Sequence, residues 1–373
     1  MDQIGIGLIG TGFMGRSHAL AYRAVSAAFG DVPVPRLEVL CDVPAEQAEH
    51  FGRQFGFARV TDDWRRLVED PEVDLVSITT PNAMHKDIAL AALAAGKIVH
   101  CEKPLALTLD EAEAMAAAAK SGGRTIVGYN YLHNPALSHA KALIDRDAIG
   151  RVVHFRGVVD EDYMADPELP WSWRCLRAEA GLGVLGDLGC HLVSIAHHLV
   201  GPIVSLLADQ QTVHATRPRS EGGPPGPVEN EDLATALVRF ADGTQGSLAA
   251  SRVAWGRKGK LAWEVHGDRG MIAFDQERMN ELLLFDAREP KATQGFKTIL
   301  TGPAHPPYGQ FVPAPGHGLG FNEQKTIEVW HLLRAVIGEE PFYPSFAHAL
   351  EIERVIHAID RSARADGARL DLA

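Results

Sequence analysis

The segment IGIGLIGTGFMGRSHALAYRAV, residues 4 to 25, constrains the fold more than any other part of the chain. An Ile- and Leu-rich run leads into Gly10, Gly12 and Gly15, spaced G-x-G-x-x-G, and a helix-periodic stretch follows at once. A strand, a tight turn and a helix in that order open a βαβ unit, so the domain is expected to carry a parallel sheet. The amides at the helix N-terminus make an anion site, and the glycines admit a pyrophosphate close to the backbone. Gly10, Gly12, Phe13, Met14 and Gly15 are therefore candidate contacts for a dinucleotide cofactor.

Four more apolar runs bounded by turn residues continue the pattern: LEVLC (37–41), VDLVSITT (73–80), KIVHCE (97–102) and RTIVGYN (124–130). Alanine-rich helical stretches such as HKDIALAALAAG (85–96) and LDEAEAMAAAAKSG (109–122) lie between them. Strands alternating with helices predict an α/β, doubly wound parallel sheet covered on both faces, a Rossmann domain over residues 1–130. Beyond PALSHAKALIDRDAIG (135–150) the character changes. RVVHFRGVVD, LATALVRFADGTQGSLAASRVAW and LAWEVHGDRGMIAFDQ read as antiparallel strands joined by Gly and Asp turns. Residues 131–373 are expected to form an α+β domain on an open, mainly antiparallel sheet. The Pro- and Gly-dense segment 215–232 reads as an exposed loop. Helical patterns at 321–338 and 346–367 are expected to pack beside that sheet or back on the first domain. A chain of 373 residues is long enough for two such cores, and it carries no internal repeat.

The balance of 36 Lys+Arg against 48 Asp+Glu, net −12, argues against a nucleic-acid partner. Cys41, Cys101, Cys175 and Cys190 lack CxxC spacing, which points away from a metal site or a disulfide framework and toward a reduced, cytoplasmic setting. MDQIGIGLIG has no basic leader, and no apolar run is expected to reach the ~20 residues that span a bilayer. Neither export nor a membrane partner is expected.

Ligands of an open α/β sheet bind beyond the carboxyl ends of its strands. Asp42 ends the second strand, where a carboxylate accepts the ribose hydroxyls of an adenosine and repels a 2′-phosphate, favouring NAD over NADP. It stands further from the glycines than the usual ~20 residues, as an insertion at AAFGDVPVPR (27–36) would explain; a solvated turn residue is the alternative. TTPNAMH (79–85) and CEKPL (101–105) put Thr80, Pro81, Asn82, His85, Glu102 and Lys103 at the same edge as candidate cofactor contacts. His85 equally suits a cap of the following helix. Lys103 leaves a buried strand just before Pro104, whose ring keeps it in extended backbone.

GTGFMG, TTPNAMH, EKPLALT, GYNY near the domain boundary, GLGVLGDLGCH (181–191) and the C-terminal helix together resemble the glucose-fructose oxidoreductase, inositol dehydrogenase and rhizopine-catabolism (Gfo/Idh/MocA) family across the whole chain. The resemblance implies NAD-dependent dehydrogenation of a small carbohydrate or cyclitol, with Lys103, Asp187 and His191 acting on the substrate. It also implies that Trp173 and Arg174 lie near the nicotinamide, with Arg174 binding substrate hydroxyls; pairing with Asp160, Glu161 and Asp162 is the alternative for this arginine. Asn130 and Tyr131 sit where the family contacts substrate, and His317 lies on a loop placed to close over it. The open sheet face implies a homo-oligomer, dimer or tetramer. Many members carry an acidic residue three after the histidine, where this chain has Ser194.

The residues support the chemistry independently. Asp187 and His191 are four apart, so on a helix both project from one face, although Asp187 also suits a helix cap. A histidine titrates near neutral pH and accepts the hydroxyl proton as hydride leaves carbon. Lys103 on the other side of that oxygen would stabilise the developing alkoxide. Asp187 would orient the sugar or the imidazole and share in the proton relay. Gly183 and Gly186 read as leaving room for the nicotinamide and the ring stacked on it, and His197 and His198 as helix surface and core. TGPAHPPYGQFVPAPGHG (301–318) and FGDVPVPR resemble a bacterial branch that oxidises inositols, L-glucose or anhydrosugars such as levoglucosan. An NAD-dependent glycoside hydrolase on the same fold and a non-catalytic NAD-binding regulator are the alternatives.

Overall fold

The computed structural model describes residues 2–120, 123–220 and 222–372. Ser121 and Gly122 at the end of a predicted helix, and Glu221 in the predicted loop, lie outside them. The chain runs β1 (Gln3–Ile9), α1 (Phe13–Ala28), β2 (Val34–Cys41), α2 (Ala45–Phe55), β3 (Arg59–Thr61), α3 (Trp64–Glu69) and β4 (Leu75–Ile78). It continues with α4 (His85–Ala94), β5 (Ile98–Cys101), α5 (Leu109–Ala119), β6 (Thr125–Val127), α6 (Pro135–Asp145), β7 (Val152–Asp160) and α7 (Arg177–Ala180). Then follow α8 (Cys190–Leu199), β8 (Ile203–Gln211), β9 (Thr216–Arg217), β10 (Gly226–Pro227), β11 (Leu233–Phe240), β12 (Gln245–Ser251) and β13 (Lys260–Gly267). The last elements are β14 (Gly270–Asp275), β15 (Glu281–Asp286), β16 (Lys297–Leu300), α9 (Phe321–Val336), α10 (Phe346–Arg364) and β17 (Leu370–Asp371).

Two compact units result: residues 1–133 with 320–350, and 134–319 with 351–373. The sequence division at 130/131 left 320–350 in the second domain. In the structure α9 packs on α1, with Phe29 stacked on Trp330 at 4.5 Å, because its apolar face finds that helix rather than the second sheet.

The first unit holds an all-parallel sheet of order β3-β2-β1-β4-β5-β6. Every residue of β4, β5 and β6 is buried, as a sheet covered on both faces requires. The order reverses between β1 and β4, and ligands of such sheets bind at that switch point. The short β3 had no apolar run to announce it.

The second unit holds a nine-stranded sheet, β16-β15-β14-β13-β7-β12-β11-β8-β17. Only the β7–β12 pair is parallel, and the hairpins β11–β12 and β13–β14 are antiparallel. Alternating burial along β12, β13 and β14 turns one face inward, and on this sheet α8 packs against β7 and the turn before it against β7 and β12. The segment 215–232 is only partly the expected loop. Arg217, Asn230, Glu231 and Asp232 at its ends are buried, because Asp232 pairs with the buried Arg252 at 2.9 Å. The expectation about apolar runs also needs correction. The helical run Arg177–Leu199 is long and apolar enough to cross a bilayer by length and composition, yet 89% of its apolar window is buried inside the protein, which makes it a core helix.

Candidate active site

The three glycines of the first loop do three different jobs. Gly10 has φ +98°, and a Cβ there would stand 2.7 Å from the Thr79 carbonyl oxygen. A Cβ on Gly15 would come within 2.1 Å of the Gly10 carbonyl oxygen, so the third glycine lets α1 close on β1. At Gly12 a Cβ would meet nothing within 4 Å. Gly12 caps α1 without a side-chain bond, and no acidic residue stands in the first turn, so the amides there suit an anion. This donor set fits a dinucleotide pyrophosphate. Phe13 is exposed, Met14 half-buried, and Phe13 stacks on Phe321 at 5.3 Å.

Asp42 follows β2 and is half-buried. Its Oδ2 accepts from the Thr11 amide at 2.8 Å, from the Thr11 hydroxyl and from Gln47 Nε2 at 3.0 Å, while Oδ1 accepts from the Val43 amide at 2.7 Å. The carboxylate is thus fixed beside the glycine loop.

At the ends of β4 and β5 the expected contacts divide. Thr80 is half-buried, Pro81 exposed, and Asn82 starts a 3₁₀ turn. His85 is fully buried, with Nδ1 at 2.9 Å from the Pro104 carbonyl and Nε2 at 3.1 Å from the Thr80 carbonyl. Its ring therefore ties two loops together rather than facing a ligand. Glu102 turns inward as well: its Oε1 meets Lys325 Nζ and His18 Nε2, both at 2.8 Å. Burial alone would raise the Glu102 carboxyl, but Lys325 and His18 outweigh it and hold it well below the usual carboxylate range. Lys103 between them is half-buried, and its bond to Pro104 is cis.

Asn130 and Tyr131 lie in a 3₁₀ turn after β6. Asn130 is buried, and its Nδ2 has no hydrogen-bond partner among the described residues. Tyr131 stands edge-on to Phe321 at 6.3 Å.

In the second unit, Asp187 and His191 do not share one regular helix. Leu185–Gly189 forms a π-helical turn that runs into α8, where His191 is the second residue. Wider i→i+5 turns of this kind recur at functional sites, and a four-residue spacing read on an α-helical wheel misses them. Glu231 supports the entry to the turn: its carbonyl accepts from the Val184 amide at 3.0 Å and its Oε1 from the Leu185 amide at 3.0 Å. A Cβ on Gly183 would come within 2.1 Å of that carbonyl. Gly183 thus admits the Glu231 backbone, which corrects its reading as space for a nicotinamide, and Gly186 is buried.

Asp187 accepts a 2.6 Å hydrogen bond from the Tyr163 hydroxyl. Burial, then the Asp187 charge, pushes the Tyr163 phenol well above its usual range, so the proton stays on the tyrosine. His191 is buried at 5% exposure. Ser194, where many relatives have an acid, is buried and donates to the His191 carbonyl at 2.7 Å. Arg174 is exposed and lies over the Trp173 ring at 4.5 Å, while Asp162, one acid considered for it, pairs with Lys258 at 2.7 Å. His317 is exposed, and its carbonyl accepts from the Tyr308 hydroxyl. His197 and His198 of the helix pattern are half-buried.

Tyr163, Gln47, His18 and Lys325 escaped the sequence reading. Tyr163 opens YMADPELPWSW, where only the tryptophans and arginines drew notice. A Tyr163→Phe variant is expected to lose roughly tenfold or more in kcat/KM, the worth of a hydrogen bond to a charged group. Steady-state kinetics decide this, and an unchanged kcat/KM would remove Tyr163 from the site.

Residues 4–131 match the model of an oxidoreductase family with an NAD-binding Rossmann fold, and 137–273 match the GFO/IDH/MocA C-terminal domain. Levoglucosan dehydrogenase of Pseudarthrobacter phenanthrenivorans is 40% identical over 378 aligned positions, covering 97% of each chain. A solved levoglucosan dehydrogenase in complex with NADH and levoglucosan superposes with a TM-score of 0.95 at 39% identity over 99% of both chains. An NAD-binding oxidoreductase from Klebsiella pneumoniae superposes with a TM-score of 0.95 at 41% identity, over 100% of this chain and 99% of its own.

Proposed function

Because the chain belongs to the Gfo/Idh/MocA oxidoreductase family, as an NAD-binding sugar or polyol dehydrogenase, we propose that it oxidises a secondary alcohol of a pyranose or cyclic polyol, an anhydrosugar such as levoglucosan foremost. The likeness to levoglucosan dehydrogenase over 97% of both chains carries this reading. Bound NAD supplies the hydride acceptor. Gly10, Gly12 and Gly15 with the α1 amides would hold its pyrophosphate, and Asp42 would take the adenosine ribose hydroxyls.

Lys103 donates to the substrate oxygen and stabilises the negative charge that grows as the C–H bond breaks. His191 takes the hydroxyl proton. Asp187, held by Tyr163, orients substrate and passes the proton on. One hydride and one proton leave the alcohol, and a ketone remains. Trp173 and Arg174 would lie on the nicotinamide side, with Arg174, Asn130, Tyr131 and His317 as further proposed substrate contacts.

The test is NADH formation with levoglucosan, inositol isomers and D- and L-hexoses, offered NAD or NADP. Turnover of levoglucosan with NAD is expected, and no turnover of any cyclic polyol or pyranose would contradict the assignment. The outward face of the second unit's sheet holds a cavity of about 480 Å³ ringed by Arg156, Lys260, Glu264, Asp275, Arg278 and Glu281. That balance of opposite charges suits a second copy of the chain, so a homo-oligomer is proposed; a monomer mass by sedimentation would contradict it. The four cysteines are buried thiols outside any disulfide among the described residues, which supports a reducing cytoplasmic setting.

A further inference from the structure

Seven side chains in the first unit form a continuous hydrogen-bonded chain that the reaction above does not use. Ser77 Oγ meets His18 Nδ1 at 2.7 Å, and His18 Nε2 meets Glu102 Oε1 at 2.8 Å. Lys325 Nζ bridges that oxygen at 2.8 Å and Glu328 Oε1 at 2.7 Å. His100 Nε2 reaches the same Glu328 oxygen at 2.8 Å, and Tyr22 meets His100 Nδ1 at 2.9 Å. All seven are buried, with Glu102 the most accessible at 4%.

The protons fit one assignment: each hydroxyl donates to an imidazole Nδ1, each Nε2–H donates to a carboxylate, and one ammonium joins the carboxylates. Burial and then Lys325 push His18 down to about 3, which keeps it neutral as this pattern needs. Burial opposes the charge on Lys325, but Glu102 and Glu328 outweigh it and raise the amine. His18, His100 and Glu328 are close enough to hold a metal ion, and the ammonium takes the cation's place among them. Gly128 makes way: a Cβ there would be 2.3 Å from Glu102 Oε1 and 3.1 Å from Lys325 Nζ.

A desolvated ion pair is a poor source of stability, since well-packed apolar residues do as well or better, so its placement needs another reason. Glu102 is the chain neighbour of Lys103. On the other flank, His85 grips the Pro104 carbonyl at 2.9 Å, and the Glu102 amide donates to Ile78 at 2.9 Å. The turn carrying Lys103 is pinned on both sides, and through His18 and Tyr22 it is tied to α1, whose N-terminus suits the pyrophosphate.

We propose that Lys325 and Glu102 are positioning residues that fix the Glu102–Lys103–Pro104 turn and so aim the Lys103 ammonium at the reacting oxygen. The proposal rests on the role given to Lys103 above. Lys325→Met would leave two buried carboxylates facing each other and is expected to unfold the domain. The test therefore uses Glu102→Gln, which keeps an oxygen acceptor and leaves Lys325 paired with Glu328.

Glu102→Gln is expected to lower kcat on the order of 10- to 100-fold, as misplacement by about 1 Å does, with NAD affinity by fluorescence titration unchanged and, although the lost charge lowers the melting midpoint, a cooperative melt still above the assay temperature. In a Lys103→Ala background it should cost nothing further, because its effect passes through Lys103. Wild-type kcat in Glu102→Gln, or a loss that multiplies with that of Lys103→Ala, would overturn the positioning role. Wild-type kcat in Lys103→Ala alone would overturn the Lys103 assignment itself, and is read in a separate arm.

Discussion

His191→Ala is expected to lower kcat for sugar oxidation by on the order of 10²–10⁴-fold, the range that a positioned general base supplies. Lys103→Ala loses on the order of 10²–10³-fold, as removal of one charge-stabilising donor does. In the proposed mechanism the two residues act on the same oxygen, so the double variant should fall well short of the product of the single losses. Neither should weaken NAD binding greatly, because the proposal assigns the pyrophosphate to the glycine loop and α1. Rates measured at saturating NAD and sugar separate these effects. Wild-type kcat in either single variant would contradict the mechanism.

The second large effect is acid instability that begins below about pH 6.5. Burial depresses His197 and His198 to about 4 each, and burial together with Lys325 depresses His18 to about 3. All three folded values lie below that of an unfolded histidine. The unfolded chain therefore binds more protons, and stability present above that value is lost as pH falls toward the folded values. Near pH 5 the three account for close to three protons, a slope of roughly 3–4 kcal/mol per pH unit. Glu231 and Asp160, pushed up by burial, offset part of it. Urea midpoints measured from pH 8 to pH 5 should fall steeply below pH 6.5, and a flat profile would contradict the neutral burial of these rings.

The parts of the site legible in the sequence are those whose physics is local. Gly10, Gly12 and Gly15 announce themselves because a turn, an open approach and a helix contact occur within six residues. Asp42 could be placed because a strand end lies where the alternating pattern stops. His85 and Glu102 could be placed at the same edge, but not their orientation, since that depends on carbonyls and an ammonium supplied elsewhere. Lys325 lies 223 residues from Glu102, and its helix pattern told which face is apolar without telling what the face meets.

The π turn at Leu185–Gly189 was hidden for a different reason. Its residues, Leu-Gly-Asp-Leu-Gly, carry no period that separates five from four residues per hydrogen bond. Gly183 shows the converse, a residue noticed for its chemistry that serves packing against Glu231. The buried ends of segment 215–232 were likewise masked by composition, because Arg217 and Asp232 read as solvated charge until Arg252 and two backbone carbonyls meet them.

A crystal structure with NADH and levoglucosan bound would measure the central claim directly. The account predicts Lys103 Nζ and a ring nitrogen of His191 each within about 3.2 Å of one sugar hydroxyl, whose carbon faces C4 of the nicotinamide. A sugar bound with either residue more than one water away from that hydroxyl would contradict it.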